Sequence, residues 1–328
     1  MSTSDQPLLS IVIPTRNRAQ YAIPAIASIL SIPSLELELV VQDNSDNDDL
    51  ERFLSSNVND PRLKYSHAWE RVDVIENFNR GTLPATGKYI TYLGDDDGIN
   101  PELVEAVRWA NKHDLDALLP TRPVHYWWPD HRFKYYGDTF AGSLEFSSFS
   151  GDVTFPDVEA ALLRCVRSAG SDSSGLPKIY YGVVKRDCLE MVRQKAGTYF
   201  PGPSPDIAGA VAVASYVKKL CKVDYPLIVP GSSKASTAGL GAQKKHVGDL
   251  KDWPHLPALY VDNWSRLVPA FFSGPTIWGE DVVQALRATG REDMLEHFNL
   301  PLLHAKCAVF HPAYLKATIV NYFGALKA

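Results

Sequence analysis

Three consecutive aspartates, Asp95-Asp96-Asp97, carry the clearest chemical meaning in this sequence. Carboxylates placed side by side repel one another, and keeping all three costs stability unless a cation or strong donors neutralise them. Hard divalent ions such as Mg²⁺ or Mn²⁺ suit carboxylate oxygens and keep open positions for phosphate oxygens. The triplet follows a β-branched and aromatic run, Lys88 to Leu93, and glycines 94 and 98 flank it. That position at a strand end favours a cation site over a solvated acidic loop or the cap of the helix that Pro101 begins.

Further segments have chemistry to offer. Pro14-Thr15-Arg16-Asn17-Arg18 follows the apolar run Ser10 to Ile13. Arginines and backbone N–H groups at a strand-to-helix turn suit a pyrophosphate or the carbonyls of a base, although alone the segment reads as a helix cap with solvated arginines. Asp43, at the end of the second strand, can accept the N3–H of uracil or the N1 and N2 hydrogens of guanine, and reads equally well as a turn residue. Lys244-Lys245-His246 follows a Gly-rich stretch from Gly231 to Gly241, expected to be mobile. Such a loop can close over a pyrophosphate, with His246 as an extra metal ligand and Lys245 as counter-charge, or remain a solvated basic loop. His125, Trp127 and Trp128 can stack on a sugar face or pack an edge strand.

The elements that must position these residues alternate. Runs at Ser10–Ile13, Leu37–Val41, Leu63–Ser66, Lys88–Leu93 and Asp116–Pro120 read as strands, and helical stretches lie between them. Strands separated by helices imply an α/β fold with a mainly parallel sheet and helices on both faces. Ligands bind such sheets at the carboxyl ends of strands, so the loops after Ile13, after Val41 and after Leu93 should share one edge. Later segments give a helix at Val158–Val166, strands at Ile179–Val184 and Val223–Val229, and a helix from Asp206. Beyond Pro254 an aromatic stripe of Tyr260, Trp264 and Phe271 keeps helical spacing.

The 328 residues, 45% hydrophobic and 22% charged, are enough for a large core. A net charge of −5 argues against a nucleic-acid surface. Four scattered cysteines, Cys165, Cys188, Cys221 and Cys307, read as buried thiols. The start lacks a basic leader, and no charge-free apolar run reaches the length of about 18 residues that a spanning helix needs. The expected place is the cytoplasm, with the inner face of the membrane left open.

Ser10-Ile-Val-Ile-Pro-Thr-Arg-Asn-Arg, Val40-Val-Gln-Asp-Asn-Ser and Ala85-Thr-Gly-Lys-Tyr-Ile-Thr-Tyr-Leu-Gly-Asp-Asp-Asp together resemble the GT-A fold, family 2 inverting glycosyltransferases. The resemblance implies a Rossmann-like GT-A sheet over roughly residues 9–120. It places Pro14, Thr15, Arg16 and Arg18 in the nucleotide pocket, and Asp43 on the base. Asn77 to Arg80 would border the donor, and Asp95, Asp96 and Asp97 would form the metal and ribose site with Mn²⁺ or Mg²⁺. Gly94 stands where the family often has an aspartate, so the register within the triplet stays open. The catalytic base falls on Asp206, in Pro203-Ser204-Pro205-Asp206, where the family's usual acidic pair is Pro-Asp; a plain helix-terminal aspartate is the other reading.

The implied organisation is a nucleotide-sugar half at 1–120, an acceptor and base half at 121–253, and a helical C-terminal extension at 254–328. The implied partners are a nucleoside-diphosphate-sugar and a glycan or lipid-linked saccharide. The C-terminal stripe then reads as core packing, with a peripheral membrane contact for a lipid-linked acceptor as the minor reading. Two alternatives remain: a sugar-nucleotide- or glycan-binding protein without catalysis, and a nucleotidyltransferase. The absence of glycine from Pro14 to Arg18 disfavours the latter.

Overall fold

The computed structural model describes residues 6–236, 247–253 and 255–327. Strand and helix alternate from the start: β1 (Leu9–Thr15), α1 (Ala19–Leu30), β2 (Leu37–Asp43), α2 (Asp49–Asn57), β3 (Leu63–His67), α3 (Val74–Thr82), β4 (Tyr89–Tyr92), β5 (Gly98–Ile99), α4 (Glu102–Lys112) and β6 (Ala117–Pro120). There follow β7 (Val124–Trp127), β8 (Leu144–Phe146), β9 (Val153–Thr154), α5 (Val158–Arg167), β10 (Val183–Lys185), α6 (Arg186–Ala196), α7 (Pro205–Ala214), β11 (Leu220–Val223), β12 (Ile228–Val229) and β13 (Gly231–Ser232). Helices Ala258–Asp262, Gly274–Thr289, Leu300–Phe310 and Leu315–Ala325 complete the described chain.

The main sheet has the order β3-β2-β1-β4-β10-β6-β11-β9. Pairing is parallel for β1–β2, β1–β4, β2–β3 and β6–β11, and antiparallel around β10 and at β9. The period of two sorts the side chains between two cores. Val12, Val40, Ile90, Tyr92 and Val184 face a core built with α3, α5, α6, α7 and the C-terminal helices. Ile11, Ile13, Leu39, Val41, Tyr89 and Val183 face the core of α1, α2 and α4. Burial on both faces explains why β1 and β2 read as mostly apolar runs, interrupted on β2 by Glu38. The four cysteines are buried and free, as expected.

One polar knot stiffens the entry to β4. Glu38 is buried on β2 and accepts hydrogen bonds from Ser10 Oγ, Thr86 N and Oγ1, and Gly87 N, while Lys64 Nζ lies 2.7 Å from it. Burial pushes its carboxyl up, but Lys64 and these donors hold it below the usual range. A Cβ on Gly87 would come within 2.5 Å of Ser10 N.

Three sequence expectations need correction. The run Ile179–Val184 is a strand only from Val183, because Tyr181 takes a left-handed backbone at φ 62°. The run Val223–Val229 is split: β11 ends at Val223, and Pro226 separates it from β12. The aromatic stripe does not ride one helix. Its helix stops at Asp262, and Trp264 Nε1 then donates to Val268 O at 3.1 Å to close a turn before Pro269. Phe271 is buried and stacks on Tyr314 at 4.2 Å between ring centroids. Among the described residues no helix is long and apolar enough to cross a membrane.

Gly87→Ala should cost about 1–3 kcal/mol by overpacking. Urea midpoints against wild type check this, and an unchanged midpoint would show that the Glu38 knot can yield.

Candidate functional site

The loops after β1, β2 and β4 meet at one edge of the sheet, as their strand-end positions require. Asn44 N donates to Thr15 O at 3.0 Å, which ties the first loop to the second. Thr15 Oγ1 donates to Asp95 Oδ2 at 2.6 Å, which ties the first to the third. The reversal of β10 brings another segment to the same place. Because β10 runs antiparallel to β4, the residues before it, Tyr180 and Tyr181, lie beside the triplet.

Asp95, Asp96 and Asp97 are 5%, 7% and 3% exposed, so three carboxyl groups share a nearly dry space. Their neutralisation is divided. Arg18 Nε lies 2.7 Å from Asp95 Oδ1 and its Nη2 2.9 Å from Asp96 Oδ2. Asp96 Oδ2 also accepts from Ser233 N at 3.0 Å and Ser233 Oγ at 2.7 Å. Asp97 pairs with no cation among the described residues. Its Oδ1 accepts from Gly231 N at 2.7 Å and Tyr181 OH at 3.0 Å, and its Oδ2 from Gly94 N at 2.6 Å. Burial, only partly offset by Arg18, still pushes the Asp95 carboxyl up to about 6. Burial and the Asp96 charge push Asp97 up to about 7.

Gly231, Ser232 and Ser233, expected in a mobile stretch, are buried. Gly231 lies so close to the triplet that a Cβ there would fall 1.7 Å from Asp96 O. Trp128 Nε1 donates to that same carbonyl at 2.8 Å. A Cβ on Gly94 would meet Asp97 Oδ2 and Tyr180 OH, each at 2.8 Å, and Asp96 Oδ1 at 3.2 Å. The glycine that departs from the family pattern is thus the residue that leaves room for this packing.

Among the described residues no three His, Cys, Asp or Glu side chains converge as a ready metal site. Of the six triplet oxygens, Asp96 Oδ1 is the one with no hydrogen bond or ion pair among the described residues. A carboxylate oxygen without a partner among the described residues is a donor that a Mg²⁺-like ion could use, with its other ligands from phosphates and water. His246 and Lys245 lie outside the described residues.

Of the residues that the resemblance assigns to a nucleotide pocket, Thr15, Arg16, Asp43 and Asn77 lie at or beside this edge. Arg16 Nη1 donates to Asn44 Oδ1 at 3.1 Å and its Nη2 pairs with Asp46 at 2.7 Å. Pro14 lies next to Thr15 in β1. Asp43 is fully buried and accepts from Ser45 N at 2.8 Å and Tyr65 OH at 3.0 Å. Asn77 Nδ2 donates to Thr15 O at 3.3 Å, and its Oδ1 is buried with no partner among the described residues. Arg80 is held by Glu70 and by Glu76, the latter at 2.7 Å.

The residues assigned to the acceptor divide. His125 Nε2 lies 2.9 Å from Ser232 Oγ, and burial holds its imidazole below the usual range. It lines a cavity of about 330 Å³ with Arg122, Tyr181 and Gly231. Trp127 sits instead in an aromatic cluster with His131 and Phe133, and Trp128 packs edge-on against Tyr21 at 5.1 Å.

A second cavity of about 310 Å³ contains Asp206, with Arg122, Lys178, Tyr180, Tyr181 and Trp278. Asp206 is exposed in the first turn of α7, where Ser204 Oγ donates to its Oδ1 at 2.6 Å. Tyr181 joins the two halves, since its hydroxyl holds Asp97 while it lines the cavity of Asp206. Sequence reading missed Trp278 and Asp281, both delivered by the Gly274–Thr289 helix. The one signal for Asp281 is an acidic pair, Glu280-Asp281, set against Val282-Val283 in a helix.

Arg18→Gln should lower stability by about 3–5 kcal/mol in metal-free buffer, because it leaves buried carboxylates without their cation. Denaturant midpoints check this, and a change below 1 kcal/mol would show that the donors around the triplet suffice without Arg18.

Comparison with known proteins agrees with this geometry. Residues 10–166 match the family described as Glycosyl transferase family 2. The chain is 34% identical over 113 residues to the putative colanic acid biosynthesis glycosyl transferase WcaA of Escherichia coli K12, covering 34% of this chain and 40% of that one. It is 33% identical over 93 residues to the Campylobacter jejuni GalNAc(5)-diNAcBac-PP-undecaprenol beta-1,3-glucosyltransferase, covering 28% of this chain and 30% of that one. The matched segments therefore span less than half of either relative. The crystal structure of S. aureus TarS 1-349 in complex with UDP-GlcNAc superposes with a TM-score of 0.54 at 17% identity, covering 96% of this chain and 89% of that one. The segment that matches glycosyl transferase family 2, just under half of the chain, coincides with the strands and loops that build the site, and the chain as a whole has a GT-A fold.

Proposed function

We propose that this protein transfers a sugar, with inversion, from a nucleoside-diphosphate-sugar to a hydroxyl of a glycan or lipid-linked saccharide. The observation that carries this reading is the adjacency of two sites through Tyr181: a strand-end carboxylate cluster fit for a nucleotide, and a cavity holding an exposed carboxylate. Asn77 Oδ1, buried and without a partner among the described residues, supports a nucleobase beside Thr15, because a buried acceptor is costly until a donor reaches it.

In this reading the acceptor hydroxyl attacks the anomeric carbon while Asp206 takes its proton. The bond from that carbon to the diphosphate oxygen breaks, and one displacement inverts the centre. Asp96, with Asp95 beside it, would hold Mg²⁺ or Mn²⁺. The ion would neutralise charge on the departing diphosphate. Arg18 and Thr15 fix the carboxylates, and Trp278 offers an apolar face to a sugar ring. Arg122 and Lys178 form no ion pair among the described residues, and burial with the nearby Arg122 holds the Lys178 ammonium below its usual range. Two such cations beside the base suit an acceptor that carries phosphate, which favours the lipid-linked member of the pair.

The experiment follows donor turnover with acceptor saccharides. Asp206→Asn should reduce transfer by about 10²–10⁴-fold while leaving nucleoside-diphosphate affinity unchanged. Full transfer in that variant would remove Asp206 as the base. Absence of any donor turnover by wild type, with intact nucleotide binding, would instead favour a binding protein.

A further inference from the structure

Ser204 stands between two carboxyl groups. Its Oγ lies 2.6 Å from Asp206 Oδ1 and is also hydrogen-bonded to Asp281 Oδ2, while its backbone N–H donates to Asp281 Oδ1 at 2.8 Å. A serine hydroxyl has one proton and makes one donated bond. It cannot serve two ionised carboxylates at once, because one of the contacts would set lone pair against lone pair. One carboxyl must therefore bring a proton of its own.

Burial decides which one. Asp281 has no exposed surface, whereas Asp206 is exposed. The titratable groups facing Asp281 are Asp206 at the start of α7, Glu280 on its own helix, Cys165 on α5 and Tyr260 on the Ala258–Asp262 helix. None is a base. Burial and the Asp206 charge push the Asp281 carboxyl well above the usual range. The turn is shaped for the contact, since a Cβ on Gly202 would come within 2.8 Å of Asp281 Oδ1.

We infer that Asp281 is a neutral carboxylic acid that donates to Ser204 Oγ, and that Ser204 donates in turn to Asp206 Oδ1. The Gly274–Thr289 helix thus supplies the second carboxyl that Pro205-Asp206 lacks, in another segment and protonated. Asp281 touches no acceptor and is a positioning residue. It fixes one oxygen of Asp206 and leaves the other for the acceptor proton. Its role in catalysis rests on the reading of Asp206 as the base, but its proton does not.

The test uses the full chain and two variants. A carboxyl whose folded pKa is raised contributes stability that is complete below its unfolded pKa, about 4, and is lost as pH rises toward the folded value. Asp281→Asn keeps a donor toward Ser204 Oγ without a titrating proton. Its Tm should therefore gain on wild type steadily as pH rises from about 5 to 8, with transfer retained within about threefold. Ser204→Ala should lower kcat by about tenfold or more and shift its pH profile, with donor KM unchanged. Identical Tm–pH slopes in wild type and Asp281→Asn would overturn the proposal, and so would an Asp281→Asn chain that cannot fold. Full activity of Asp206→Asn would remove the base while the Tm slopes still report the proton on Asp281.

Discussion

Three carboxyl groups, each less than a tenth exposed, sit at the end of one strand, and their mutual repulsion is the constraint that the surrounding structure answers. Arg18 answers it for Asp95 and Asp96 with one guanidinium spread over both. Its fork geometry suits that task better than a point charge. Asp97 is answered by backbone N–H groups of Gly94 and Gly231 and by Tyr181. Apart from Gly94, these donors come from distant parts of the chain, so satisfying the triplet also closes the fold around it. The glycines at 94 and 231 are part of that closure, because both approaches would be blocked by a side chain.

One residue links the triplet to the second cavity. Tyr181 holds Asp97 from a left-handed backbone, a conformation that costs roughly 1–2 kcal/mol for a residue with a side chain. Such strain persists where surrounding contacts over-determine it, and it gathers at functional sites. The same residue lines the cavity of Asp206. The C-terminal helices are no separate appendage: the Gly274–Thr289 helix packs along α7, presents Trp278 to the cavity and buries Asp281 beneath the Ser204 turn.

Legibility from sequence followed the range of the interactions. Ser10–Ile13, Leu37–Val41 and Lys88–Leu93 were readable because strands buried on both faces leave mostly apolar runs that end in polar loops. Their shared edge followed from parallel connection. The antiparallel placement of β10 was not readable, since three residues carry no mark of direction, and it is this placement that brings Tyr180 and Tyr181 to Asp97. Gly231–Ser233 looked mobile because small residues lack local preferences. Its place comes from contacts with β7, the triplet and Arg18. Trp278 and Asp281 sit in a helix whose local pattern says only that it is partly buried. Asp206 stands at the helix start where the sequence placed it, whereas Asp281, which reaches it through Ser204, lies 75 residues downstream.

The central claim is that the strand-end cluster is a nucleotide site that uses one free carboxylate oxygen for a divalent ion. Calorimetric titration of UDP into the protein, with Mn²⁺ and then with a chelator, tests it most directly. The account predicts saturable binding with Mn²⁺ that weakens at least about tenfold without it, a difference of about 1.4 kcal/mol. Equal affinity in both buffers, or no binding in either, would contradict it.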